Sequence, residues 1–101
     1  MKGYWIATID ITDAEQYQEY TQRAPEVFAA FGGKFLARGG RSEAMEGRPT
    51  PTRTVIIEFV SYEQAVACYR SAQYQAASEH RFNAAKAQVI IVEGLEPGGK
   101  G

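Results

Sequence analysis

The chain has 101 residues, with 11 basic and 12 acidic side chains and a formal net charge of −1. That length holds one domain burying roughly 60–70% of its unfolded surface, and the near-neutral balance excludes nucleic acid as the main partner, which needs a basic footprint. No stretch approaches the ~20 apolar residues of a membrane span, and the single cysteine, Cys68, has no partner for an internal disulfide, so a cytoplasmic location is expected.

"GYWIATIDI" (Gly3 to Ile11) is rich in β-branched and aromatic residues and predicts a first strand rather than a signal peptide. Alternation puts Trp5, Ala7 and Ile9 on one face and Tyr4, Ile6 and Thr8 on the other. Both sets are largely apolar, so both faces need cover. Thr12 with Glu15 forms a capping-box pattern. Tyr17, Tyr20, Thr21, Ala24, Val27, Phe28 and Phe31 then recur at helical spacing up to Gly32-Gly33, which ends the helix. Pro25 lies inside that pattern and predicts a kink or a split.

"KFLAR" (Lys34 to Arg38) predicts a second strand, with a bulge or bend at Gly39-Gly40. "SEAMEG" is expected to resume it as an edge, and the prolines of "RPTPT" to form a loop. "RTVIIEFV" (Arg53 to Val60) is the clearest strand in the chain. Ser61 and Gln64 make a second capping box, and Ser71 is placed to cap a further helical piece carrying Tyr74, Ala77, Ser78 and Arg81. "AQVIIVEG" (Ala87 to Gly94) closes the pattern as a strand, and "LEPGGKG" (95–101) reads as a loose tail.

The order β-α-β-β-α-β over residues 1–94 predicts an α+β, ferredoxin-like split βαβ domain. Its four-stranded antiparallel sheet would carry both helices on one face. The other face, with Tyr4, Ile6, Thr8, Ile56 and either Ile90 or Ile91, would lie bare. An apolar sheet face of that size is rarely left in water, so a homodimer pairing the two bare faces is expected.

"MKGYWIA", "FGGKFLARGGRSEAMEG", "VIIEFVSYEQAVACYRSAQYQAA" and "VIIVEG" resemble, from Met1 to about Gly94, the family of small uncharacterised proteins known as domain of unknown function 1330. The resemblance implies a dimeric α+β barrel, two ferredoxin-like subunits packed sheet to sheet, and implies no activity. Within the wider barrel superfamily, cofactor-free monooxygenases, lactone isomerases and haem-dependent enzymes share the architecture, which is weak evidence of function.

The site candidates follow from residue chemistry. If the second and third strands pair, Arg38 and Glu58 fall on one face. They then form either a structural or inter-subunit ion pair, or a polar group in which Arg38 holds a carboxylate, phenolate or enolate. Arg41 reads as a solvated loop charge. Tyr17 and Tyr74 are expected to line an apolar pocket between helix and sheet, with hydroxyls that need partners. His80, the one histidine, reads as a partly exposed bystander or an acid–base group, and the resemblance carries over to Arg81 rather than to His80. With no second His or Cys at ligand spacing, neither a metal nor another cofactor is expected. Cys68 reads as buried packing, with no base or helix N-terminus to activate it.

Two functions are compatible with this inventory. One is binding of a small acidic or aromatic metabolite in each subunit. The other is cofactor-free chemistry of a monooxygenase-like or isomerase-like kind on such a molecule, with Glu58 or His80 moving a proton.

Overall fold

In the computed structural model, which describes residues 1–97, the chain forms β1 (Gly3–Ile11), α1 (Ala14–Ala30), β2 (Lys34–Arg38), β3 (Arg53–Phe59), α2 (Tyr62–Arg70), α3 (Ala72–Phe82) and β4 (Ala85–Glu93). The strands make one antiparallel sheet in the order β2-β3-β1-β4. This is the ferredoxin-like arrangement the element order predicts. Of the loose tail, residues 95–97 form no helix or strand and residues 98–101 lie outside the described part. No helix among the described residues is long and apolar enough to cross a membrane.

Alternation along β1 builds the two faces. Trp5, Ala7 and Ile9 are buried beneath the helices, and their partners on β3 are Ile57, Val55 and Arg53. Tyr4, Ile6 and Thr8 point to the opposite face, across from Glu58, Ile56 and Thr54 on β3 and from Val92, Ile90 and Gln88 on β4. The register therefore assigns Ile90, not Ile91, to the bare face. Ile90 and Val92 stay 48% and 44% exposed there. Trp5 anchors the covered side: its ring meets Phe28 and Tyr74 edge-on, with centroids 5.0 and 4.9 Å away.

Several local expectations change. α1 is capped by Asp13, whose carboxylate accepts from the Gln16 N–H, and not by Thr12. The N–H groups of Thr12 and Asp13 both donate to the Ala84 carbonyl just ahead of the helix. The split at Pro25 does not occur: α1 runs through it to Ala30. Pro25 has no N–H to give the Thr21 carbonyl, but the buried Ala24 and Phe28 on either side keep both halves seated on the sheet. At the far end Gly32 takes a left-handed conformation (φ 78°), and the Gly33 and Gly32 N–H groups return to the Phe28 and Ala29 carbonyls, closing the helix in a Schellman motif. Ser61 and Ser71 cap α2 and α3 through the N–H groups of Gln64 and Tyr74.

"SEAMEG" does not resume a strand; residues 39–52 form an exposed loop. It is tied by the Ala44 N–H to the Thr50 hydroxyl and by the Thr52 N–H to the Asp10 carboxylate. The irregularity expected at Gly39-Gly40 lies earlier. Phe35 pairs with Ile57 and Ala37 with Ile56, so Leu36 is an extra residue in β2.

Cys68 is fully buried in α2, and burial pushes its thiol up to about 12. Almost no thiolate exists at pH 8. The native protein should resist a chromogenic disulfide reagent at that pH and release one thiol per chain on unfolding. Rapid native labelling would contradict this packing.

Candidate functional site

The bulge at Leu36 decides where the site lies. An extra residue reverses the side-chain alternation beyond it. Arg38 therefore sits opposite Val55, on the helix-covered face. Glu58 is across the sheet: it lies opposite Lys34 and Tyr4 on the bare face, where its carboxylate accepts from the Tyr4 hydroxyl (3.3 Å) and faces Lys2 at 3.9 Å. The expected Arg38–Glu58 pair is thus excluded. Arg38 is also exposed rather than partly buried, its guanidinium 4.6 Å from the centre of the Phe35 ring.

On its new face Arg38 borders a cavity of about 340 Å³ between α1 and the sheet. The floor is apolar, built from Trp5, Ala7, Ile9 and Val55. The α1 side contributes Ala24, Phe28 and the edges of Thr21 and Pro25, together with the rings of Tyr17 and Tyr20. Arg53 completes the polar rim beside Arg38. The lining thus carries two cations and no carboxylate.

Arg53 was not foreseen as a site residue. It is half-buried, and its Nε is buried and meets no acceptor among the described residues. Its guanidinium lies close to Gly39, where a Cβ would come to 2.5 Å from Nη1. Gly39 also has φ 72°, and its N–H donates to the Thr54 carbonyl (2.9 Å). The glycine after Arg38 therefore makes room for the second arginine. Gly39→Ala should cost about 1–2 kcal/mol from the left-handed backbone alone and displace the Arg53 guanidinium. Gly40→Ala, with open space around it, is the control. Equal melting temperatures for the two variants would refute this role.

Tyr17 faces Arg53. Burial raises its hydroxyl above the usual phenol range, while the guanidinium groups of Arg53 and Arg81 pull it back down. Behind it the Tyr20 and Tyr74 hydroxyls lie 2.8 Å apart in a buried hydrogen bond. Burial, together with the neighbouring Tyr74, holds Tyr20 well above 10.

Arg81 is only 6% exposed and stacks its guanidinium 5.4 Å from the Tyr20 ring centre. Burial opposes its charge, but the Tyr74 and Tyr20 hydroxyls beside it more than offset this and raise its pKa. Its Nε, too, has no acceptor among the described residues. Neither Tyr74 nor Arg81 lines the cavity; they form the layer behind Tyr17 and Tyr20. Of the expected site residues, Tyr17 and Arg38 come together at the cavity, Tyr74 and Arg81 support it, and Glu58 does not approach it. His80, half-exposed in the last turn of α3, does not line it either. Arg41 is exposed in the loop.

A wider depression of about 650 Å³ lies between the loop and the β1–β4 edge. Asp10, Glu46, Arg48 and Lys86 line it with mixed charge and it is open to solvent, so it lacks the apolar walls a small-molecule site uses. Among the described residues no group of three or more His, Cys, Asp or Glu is arranged to hold a metal ion.

The family model described as domain of unknown function (DUF1330) matches residues 2–95. No curated protein matches the chain. Among solved structures, a protein of unknown function from Rhodopseudomonas palustris is 23% identical with a TM-score of 0.74, over 95% of this chain and 84% of that one. SnoaB, a cofactor-independent oxygenase from Streptomyces nogalater, is 8% identical with a TM-score of 0.67, over 95% of each chain. A dimeric ferredoxin-like protein of unknown function from Thermobifida fusca is 13% identical with a TM-score of 0.61, over 92% of this chain and 91% of that one. At these identities the likeness is one of fold.

Proposed function

The chain belongs to the DUF1330 family, and we propose that it is a homodimer binding a small acidic, partly aromatic metabolite in the α1–sheet cavity of each subunit. The observation that carries the reading is Arg53, whose buried N–H lacks an acceptor at the edge of an apolar, aromatic-walled cavity. A carboxylate supplies that acceptor and can be held by a guanidinium fork. An aromatic or aliphatic body fills the space over Trp5 and Val55, as in most small-molecule sites. The bare apolar face, on the opposite side of the sheet from the cavity, favours pairing of two subunits, and similar structures described as dimeric are in keeping with it.

Benzoate is the simplest probe. Millimolar benzoate should raise the melting temperature, as any ligand of the native state does. Arg53→Gln should weaken benzoate binding by at least tenfold, because a charge-assisted hydrogen bond is worth about 1.5–3 kcal/mol. Arg41→Gln should leave it unchanged. Absence of any benzoate response in the wild type would refute the acid site.

A cofactor-free enzyme is the alternative reading. With Glu58 and His80 away from the cavity, its proton-transfer group would be the Tyr17 or Tyr20 hydroxyl. Incubating the protein with a bound acid and following its mass would separate the two: a ligand released unchanged supports binding alone.

A further inference from the structure

Two guanidinium groups line this one cavity and a third lies behind its tyrosine wall, and none has a carboxylate partner among the described residues. The ion pairs found among the described residues are Lys2–Glu58 and Arg23–Glu19, both elsewhere. Arg53 and Arg38 stand at the rim, and Arg81 lies behind Tyr20 with its Nε unpartnered. Tyr17 lines the cavity together with Arg38 and Arg53. Buried or half-buried charges are ordinarily paired, because taking a charge out of water without compensation is costly. Here the compensation offered by the protein consists of phenol hydroxyls and aromatic faces. The cavity lining itself offers two guanidinium groups, the half-buried Arg53 and the exposed Arg38, and no carboxylate.

Resting on the acid-binding reading above, we infer that the ligand is a dianion: a single-ring aromatic dicarboxylate, one carboxylate held at Arg53 and the other at the rim by Arg38. Arg38 and Arg53 lie diagonally on neighbouring strands, Arg38 opposite Val55 and Arg53 two residues before Val55. The backbones of such diagonal positions are ~7–8 Å apart, which leaves two arginines there able to meet two anionic groups on one small ring. The aromatic wall of Trp5, Phe28 and Phe35 suits a flat body, and 340 Å³, at the small end for such sites, suits a small one.

Calorimetric titration of the full chain with phthalate, isophthalate, terephthalate and benzoate tests this directly. At least one dicarboxylate should bind five or more times tighter than benzoate. Arg38→Gln should abolish that advantage, lowering dicarboxylate affinity more than benzoate affinity, and Arg53→Gln should weaken both classes. Circular dichroism on each variant separates lost affinity from lost fold. If every dicarboxylate falls short of the fivefold advantage, or the advantage survives Arg38→Gln, the dianion inference is overturned and acid binding stands. If neither benzoate nor any dicarboxylate binds, both readings fall together.

Discussion

Trp5→Ala is expected to destabilise the protein by about 3–5 kcal/mol, the range for truncating a large buried aromatic. Trp5 is 1% exposed and touches the rings of Phe28, Tyr74, Phe59 and Tyr69, so it joins α1, α2, α3 and the sheet through one side chain. Truncation forfeits the transfer free energy of the indole and those contacts together. It also opens the cavity floor into the core, and side chains anchored on three helices cannot all collapse into the gap. Since domains of this size are stable by roughly 5–15 kcal/mol, the loss is a large share of the total. The melting temperature should fall by about 12–40 °C, taking ~4–8 °C per kcal/mol. Val60→Ala, at a position 63% exposed, should change stability by no more than about 0.5 kcal/mol. A Trp5 variant melting within a few degrees of the wild type would show that the aromatic cluster is not the core's main support.

Ile6→Asp should convert a dimer to monomers without unfolding the subunit. Ile6 lies mid-sheet on the bare face, flanked by Ile56 and Ile90. In a twofold dimer built on that face each substitution is present twice. Two unpaired carboxylates buried at the interface would cost about 3 kcal/mol each or more, weakening association on the order of 10⁴-fold. Sedimentation of the wild type at micromolar concentration should give twice the chain mass, and the variant one chain mass with unchanged far-ultraviolet circular dichroism. A wild type that sediments as a monomer would rule out the interface.

Much of the architecture was legible because its signals are local. Trp5, Ala7 and Ile9 alternate with Tyr4, Ile6 and Thr8; Ser61 and Ser71 announce helix starts; Gly32-Gly33 announces a stop. The site was harder to read, because it depends on strand parity across a defect. In "KFLAR" the three central residues are all apolar, so nothing distinguishes Leu36 as an extra residue, and regular alternation puts Arg38 on the face of Glu58. Arg53 did leave a signal. It shares the parity of Val55, Ile57 and Phe59, all buried, so a cation continues an inward-facing row. Reading "RTVIIEF" backwards from its buried end would have found it. Arg81 carried a similar mark, standing at helical spacing with Tyr74, Ala77 and Ser78, all of which are buried; its place behind Tyr20, and not at the cavity, depends on how α3 packs against α1.

The surplus residue at position 36 is absorbed without disturbing its neighbours' partners: Phe35 stays opposite Ile57 and Ala37 opposite Ile56. Deleting Leu36 would therefore restore strict alternation and still leave Arg38 opposite Val55, on the side of the cavity. A chain of unchanged length that lost the bulge, pairing Leu36 with Ile56, would instead turn the same guanidinium to the side of Lys2 and Lys34. For proteins built this way, a gap in the second strand can preserve the rim while an ungapped match can conceal its loss, and a graft of the rim onto another scaffold must copy the strand pairing along with the residues.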